Sequence, residues 1–184
     1  MNTRQTLLLI LLLVVIIGSG WFLDGRRGLL ELSVSRNGPD AFVSGMHLDV
    51  MDSGGQLRYR VTAEHMTHYR NSDHLELQRP LIDLQQRNGN TWRITAETGE
   101  TQDSGDLIRL LGSVNIRRSG ASGPLQVRTR DVLVKPEQGY ATTDSPATIT
   151  MPGIHVNAVG LEADLDSDTL ELHNRVRGRV DAAG

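Results

Sequence analysis

The sequence predicts an all-β domain, a twisted antiparallel sheet in two layers around a groove, preceded by one N-terminal transmembrane helix. Three observations predict it. Lys, Arg, Asp and Glu are absent from Gln5 to Leu23. From Gln56 onward apolar and polar residues alternate, and the alternating stretch recurs four times.

Leu7–Ile17 is an unbroken apolar run. At ~1.5 Å rise per residue, a helix from Gln5 to Leu23 spans roughly 28 Å, the hydrocarbon thickness of a bilayer. Leu7, Leu11, Val15 and Trp21 are the expected membrane-anchor positions. A cleaved signal peptide competes with this reading, since Arg4 precedes the run and Gly18-Ser19-Gly20 offers small residues for cleavage. Trp21-Phe22-Leu23, however, extends the apolar stretch to spanning length, and an aromatic pair suits the membrane interface. An uncleaved anchor is the expectation, with a short cytoplasmic tail at 1–5, the helix at 6–23, a linker at 24–38, an exported β domain at 39–180 and a tail at 181–184.

The exported part is long enough for one domain with a sizeable core. Without Arg4 it carries 18 basic against 22 acidic residues, a balance that argues against nucleic acid as a partner. Cysteine is absent, which excludes disulfides and thiolate chemistry.

The repeat is seen by aligning Arg60–His65, Arg93–Thr98, Gln126–Asp131 and His155–Gly160, with Ala63, Ala96, Thr129 and Ala158 as anchors. Fourteen residues after each anchor stand Leu77, Leu110, Thr143 and Leu172; eighteen after stand Leu81, Val114, Ala147 and Val176. Two before stand Val61, Ile94, Val127 and Val156. A period near 33 residues with shared offsets marks one supersecondary unit used repeatedly.

Within each copy the period is two. Leu57, Tyr59, Val61 and Ala63 alternate with Arg58, Arg60 and Thr62, as in an antiparallel strand with one apolar and one wet face. Turn-formers separate the strands at Asp52–Gly55, Arg70–Asp73, Arg87–Asn90, Asp103–Asp106, Arg118–Pro124, Pro136–Gly139 and Asp164–Asp168. Each copy therefore reads as a strand, a turn and a longer strand bent near its middle. Large side chains are few: two Phe, two Trp and three Tyr. The interior is expected to be thin, lined by Val, Ala, Thr and Leu. End strands with free backbone groups invite pairing with another protein.

Clusters suited to chemistry are weak. His65 and His68 are an odd number apart and point to opposite faces of a strand, and neither they nor His74 gain a further ligand at metal spacing. Asp164, Asp166 and Asp168 resemble the start of a calcium loop, but Thr169 stands where Gly is needed and Arg175 where a bidentate Glu is needed. An Asp-rich turn is the simpler reading. No nucleophile elbow or phosphate cradle occurs, so no enzyme, cofactor or metal is expected. The inward Met46, Val61, Ala63, Leu77, Leu81, Leu110 and Leu172 remain, either as plain core or as the lining of a groove.

Pro39-Asp40, Gly55–His65, Tyr69, Leu77-Gln-Arg-Pro80, Thr91–Ala96 and Leu110–Val114 together resemble the LptC family across essentially the whole chain. The third copy, with Thr129 and Thr143 at anchor positions, departs from the pattern. The resemblance implies a β-jellyroll in the periplasm, tethered by one helix to the inner membrane. Its groove would take lipopolysaccharide acyl chains from the ABC transporter of LptB, LptF and LptG and pass them to LptA, with transporter ATP hydrolysis as the energy source. The same resemblance implies a transporter-facing edge near Asp40–Val50, including Asp40 and Phe42. It implies an LptA-facing edge around Gly153–Ala158, including Gly153, Val156 and Ala158. The rival expectation is a membrane-tethered adaptor that joins envelope proteins around a closed core.

Overall fold

Most described residues lie on strands, and every strand pairs antiparallel with its neighbours. The computed structural model describes residues 38–69, 74–86, 88–102 and 105–181. The expected helix, with Leu7, Leu11, Val15 and Trp21, lies outside them. Among the described residues no helix is long and apolar enough to cross a membrane.

The strands are β1 (Pro39–Met51), β2 (Leu57–Tyr69), β3 (Leu75–Gln78), β4 (Leu81–Gln85), β5 (Thr91–Thr95), β6 (Thr98–Gln102), β7 (Leu107–Ser119), β8 (Leu125–Lys135), β9 (Tyr140–Met151), β10 (Ile154–Asp164) and β11 (Thr169–Val180). The first half of β2 pairs with β4, which leads through β5 to the second half of β7. Its second half pairs with β3, which leads through β6 to the first half of β7. Beyond β7 the long strands β8, β9, β10 and β11 follow side by side. The result is one sheet creased along its middle, with the two halves facing each other as layers.

The crease explains the sequence offsets. In the outgoing strand of each copy the buried series advances by three at the bend: Ala63 to Met66, Ala96 to Gly99, Thr129 to Val132, Ala158 to Leu161. In the returning strands the step is four: Leu110 to Val114, Thr143 to Ala147, Leu172 to Val176. Either step keeps apolar side chains inside both layers while the backbone turns. Every level of the sheet is therefore bent or broken, not only the longer strand of each copy as the alternation suggested.

Bends expose backbone groups, and side chains satisfy them. Gly112 (φ +78°) donates its N–H to Asp131 Oδ1 at 3.0 Å, and Ser113 N–H donates to Glu97 Oε1 at 3.2 Å. Thr143 Oγ1 donates to the carbonyls of Arg130 and Asp131 at 2.8 and 3.0 Å, and Thr129 Oγ1 to that of Pro146 at 3.0 Å. The threonines that make the third copy irregular thus serve the crease.

Copy one carries one residue more between its halves. Arg79 (φ +48°) and Pro80 interrupt the strand, so the inward position after the crease is Ile82, fully buried, rather than Leu81. Leu81 pairs with Thr62 and Thr95 on the outer face, which corrects its expected place in the interior.

A second correction concerns the C-terminal edge. Pro152-Gly153 forms a tight hairpin between β9 and β10, so Gly153, Val156 and Ala158 stand at the start of a strand paired on both sides. The edge is β11, whose Val180 lies opposite Ile154.

The β7–β8 turn packs against the β4–β5 turn. A Cβ at Gly120 (φ +125°) would lie 2.7 Å from the Gly89 carbonyl oxygen and 2.8 Å from Asn90 Cα. Gly120→Ala should therefore lose about 2 kcal/mol in denaturant unfolding. Gly123→Ala, with open space around it, should lose only about 1 kcal/mol from its positive φ.

Candidate functional site

The interior is closed in its middle and uncovered at its ends. Tyr59, Val61, Ala63, Leu77, Ile82, Trp92, Ile94 and Leu110 belong to one buried cluster drawn from both layers. Leu77 and Leu110 are fully buried. Of the expected groove residues, Val61, Ala63, Leu77 and Leu110 thus meet in packed core, whereas Met46 and Leu172 are partly buried on the edge strands against it.

On β1 the inner row follows from register: Met46 faces Ala63, Leu48 faces Val61 and Val50 faces Tyr59. Among the described residues no strand lies beyond β1, where Leu48 is 45% exposed and Val43, across the crease, is also open. Phe42, opposite Thr67, is 70% exposed. Asp40 Oδ1 is bonded to His68 Nδ1 at 2.6 Å. His65 instead pairs with Gln78 on the outer face and contacts Ser44 Oγ at 3.3 Å.

On β11 the inner row comprises Leu170, Leu172, Val176 and Val180, set by pairing of Leu172 with Leu161 and Leu170 with Ala163. Val176 is 51% and Val180 75% exposed. Val156 on β10 packs partly against the core, Ala158 is buried, and Gly153 is exposed in its turn with φ +71°. Both ends of the folded sheet therefore present an apolar inner face and, beside it, a strand with one backbone edge unpaired among the described residues. Sequence alternation located the inward residues apart from Leu81, but only pairing order separates those that are covered from those that are not.

The rim opposite the crease is held shut over part of its length. The β10–β11 turn reaches from one layer to the β4–β5 and β7–β8 turns of the other. Asp168 (φ +60°) receives Asn90 Nδ2 at 2.6 Å, Trp92 Nε1 at 3.1 Å, Gln86 Nε2 at 3.1 Å and Ser122 Oγ at 3.1 Å. Arg118 lies 3.9 Å away and stacks over the Trp92 ring at 5.7 Å. Burial pushes the Asp168 pKa up, but bonds from Gln86 and Ser122, the Arg118 charge and the Trp92 bond outweigh it and hold the carboxyl below its usual range. Beside it Gln86 Nε2 also donates to the Leu165 carbonyl, and Arg58 bonds Asp166 at 2.7 Å. The Asp-rich turn is thus a clasp between layers. Among the described residues no group of three or more His, Asp or Glu is placed to hold a metal ion.

The outer face of one layer carries a charge ladder, read across the strands as Asp49, Arg60, Asp83, Arg93, Arg117, Gln126, Thr150, His155 and Arg179. Arg60 grips Asp49 at 2.5 and 2.6 Å, and Arg93 grips Asp83 at 2.8 and 3.0 Å. Alternation then fails, because Arg117 stands directly opposite Arg93.

A family model described as lipopolysaccharide-assembly, LptC-related, matches residues 7–181. Among solved structures, the chain resembles LptH, the LptA-homologous periplasmic component of the lipopolysaccharide transport device of Pseudomonas aeruginosa. The TM-score is 0.54 at 10% identity, covering 67% of this chain and 95% of that one. No match was found among curated proteins.

Proposed function

Because this chain belongs to the LptC-related lipopolysaccharide-assembly family, and so has a role in lipopolysaccharide transport, we propose that its folded sheet is a non-enzymatic bridge for acyl chains. Lipopolysaccharide enters from the ABC transporter of LptB, LptF and LptG at the β1 end and leaves for LptA at the β11 end. A single N-terminal helix, anchored through Leu7, Leu11, Val15 and Trp21, holds the domain on the periplasmic side of the inner membrane.

The observation that carries this reading is the pair of uncovered inner rows, Val43–Leu48 at one edge and Val176–Val180 at the other. A lipid in water exposes methylenes worth ~0.8 kcal/mol each, so a trough continuous across modules removes large free-energy steps along the path. The free edges of β1 and β11 suit addition of a partner's strand, which would extend both the sheet and its apolar face. Phe42 and Asp40 belong to the first joint. At the second, β11 takes the place expected for Gly153, Val156 and Ala158, which stand one strand behind it.

The closed middle favours one competing reading, an adaptor that joins envelope proteins without carrying lipid. A photo-crosslinking residue at inward Leu48, with outward His47 as control, separates the two in membranes supplied with the transporter and ATP. The bridge predicts an ATP-dependent lipopolysaccharide adduct at 48 and none at 47. Partner capture without an adduct at either position would make the protein an adaptor.

A further inference from the structure

The charge alternation on the outer face breaks at Arg117, which has no carboxylate partner among the described residues and lines a cavity. No carboxylate forms an ion pair with Arg117 or Arg128 among the described residues, although Arg60, Arg93 and Arg118 each have one. The Asn115 side chain is the group set against Arg117, its amide oxygen accepting from Nε at 3.2 Å and Nη2 at 3.0 Å when the amide is turned to suit. Like charges directly opposite each other on a sheet are destabilising, so the Arg93–Arg117 pairing does not serve the fold.

The open cavity holds about 790 Å³ and is lined by Arg93, Arg117, Arg118, Gln126, Leu125 and Met151, among others. Its position is informative. Leu125 is core, and Met151 packs against core, so one wall of the cavity belongs to the rim of the interior while the other is the cationic outer face. A second concavity, about 360 Å³ and lined by Asn115, Arg128 and Arg130, lies two residues further along β7 and β8.

From this juxtaposition we propose that the rim cavity at Arg117, with Arg128 beside it, binds the phosphorylated sugar head of the carried lipid while its acyl chains lie against the Leu125–Met151 rim. The inference rests on the lipid-bridge reading and deepens it. Guanidinium groups present paired N–H donors in the geometry that phosphate oxygens accept, and an Arg with no carboxylate to displace is poised for that exchange. The apolar rim beside it matches an amphiphile, and the concave shape suits a discrete head better than a flat membrane surface.

The test uses the full chain in phosphatidylcholine nanodiscs, titrated with lipopolysaccharide and with the same lipopolysaccharide stripped of phosphate. The phosphorylated form should bind about tenfold more tightly, the scale of one or two charge-assisted bonds. Arg117→Gln should remove most of that preference and leave binding of the stripped form unchanged. Its melting temperature should hold or rise, since a repulsive pair is relieved, and Arg117→Lys should retain part of the preference. Equal affinity of the wild type for both forms overturns the proposal while leaving the bridge intact. So does a preference that survives Arg117→Gln combined with Arg128→Gln. Binding of neither form overturns the bridge as well. In discs that also contain phosphatidylglycerol, a photo-crosslinker at Gln126 should capture the lipopolysaccharide; capture of phosphatidylglycerol instead would make this face a membrane contact and overturn the assignment.

Discussion

Asp168→Ala should lower the melting temperature by roughly 10 °C, the equivalent of about 3 kcal/mol for a domain of this size. The loss comes less from the carboxylate itself than from the donors it leaves behind. Asn90 is buried to 1% exposure and Trp92 to 0%, so their N–H groups have little access to water once Asp168 is gone. Asp168→Asn keeps the shape and two of the acceptor lone pairs, and should lose less. The pH dependence follows from the direction of the shift. The folded pKa lies below the unfolded one, so the contribution is complete above the ordinary carboxylate value and is lost as pH falls through the folded value. A melting series from neutral to acid pH should therefore converge for wild type and Asp168→Asn at the acid end. Parallel curves would show that Asp168 contributes nothing as an anion.

Leu77→Arg should fail to fold. A charge on a groove wall would obstruct a lipid path at modest cost to the fold, but the surroundings of Leu77 leave no room for that milder outcome. Leu77 is fully buried, and a Cβ at neighbouring Gly99 would already lie 3.2 Å from Pro80, 3.4 Å from Leu110 and 3.6 Å from Leu77. An unpaired buried guanidinium costs several kcal/mol, comparable with the whole stability of a small domain. The measurement is far-UV circular dichroism with a thermal melt of the purified variant. A cooperative melt near the wild-type temperature would mean that the interior opens at this level. The milder Leu48→Arg, at an uncovered inner position, should fold normally and is the substitution that tests lipid passage.

The strands were legible because period-two alternation is strong along Leu57–Ala63 and Trp92–Ala96, and the anchors Ala63, Ala96, Thr129 and Ala158 line up on the inner side of the crease. The crease itself was hidden. Steps of three and four residues look alike in a hydrophobic pattern, and one extra residue at Arg79-Pro80 was enough to move Leu81 outside and Ile82 in. Pro152-Gly153 carries a turn signature of its own, and the hairpin it makes puts β11 rather than Gly153–Ala158 at the C-terminal edge. The clasp was the least legible feature. Its donors come from two turns 46 to 82 residues from Asp168, and only the third dimension brings them to one carboxylate. Arg117 reads in sequence as one more solvated charge; its significance depends on the residue opposite.

The crease has a consequence for the distance that the domain covers. Nine strand levels, both edges counted, are described, and their eight spacings of ~4.8 Å give roughly 38 Å before twist is allowed for. Each level bends with its own residues and pairs along the sheet only with the levels beside it, as in a solenoid, the Asp168 clasp being a side-chain contact that reaches further. Length is therefore quantised: one more copy of the 33-residue unit would add about 10 Å of span and leave the neighbouring bends undisturbed. A single inserted residue, by contrast, is absorbed only where a strand is already broken, as at Arg79-Pro80. Elsewhere it would turn half a strand inside out. Such a domain can grow by whole paces to match the gap it crosses, but it cannot be stretched.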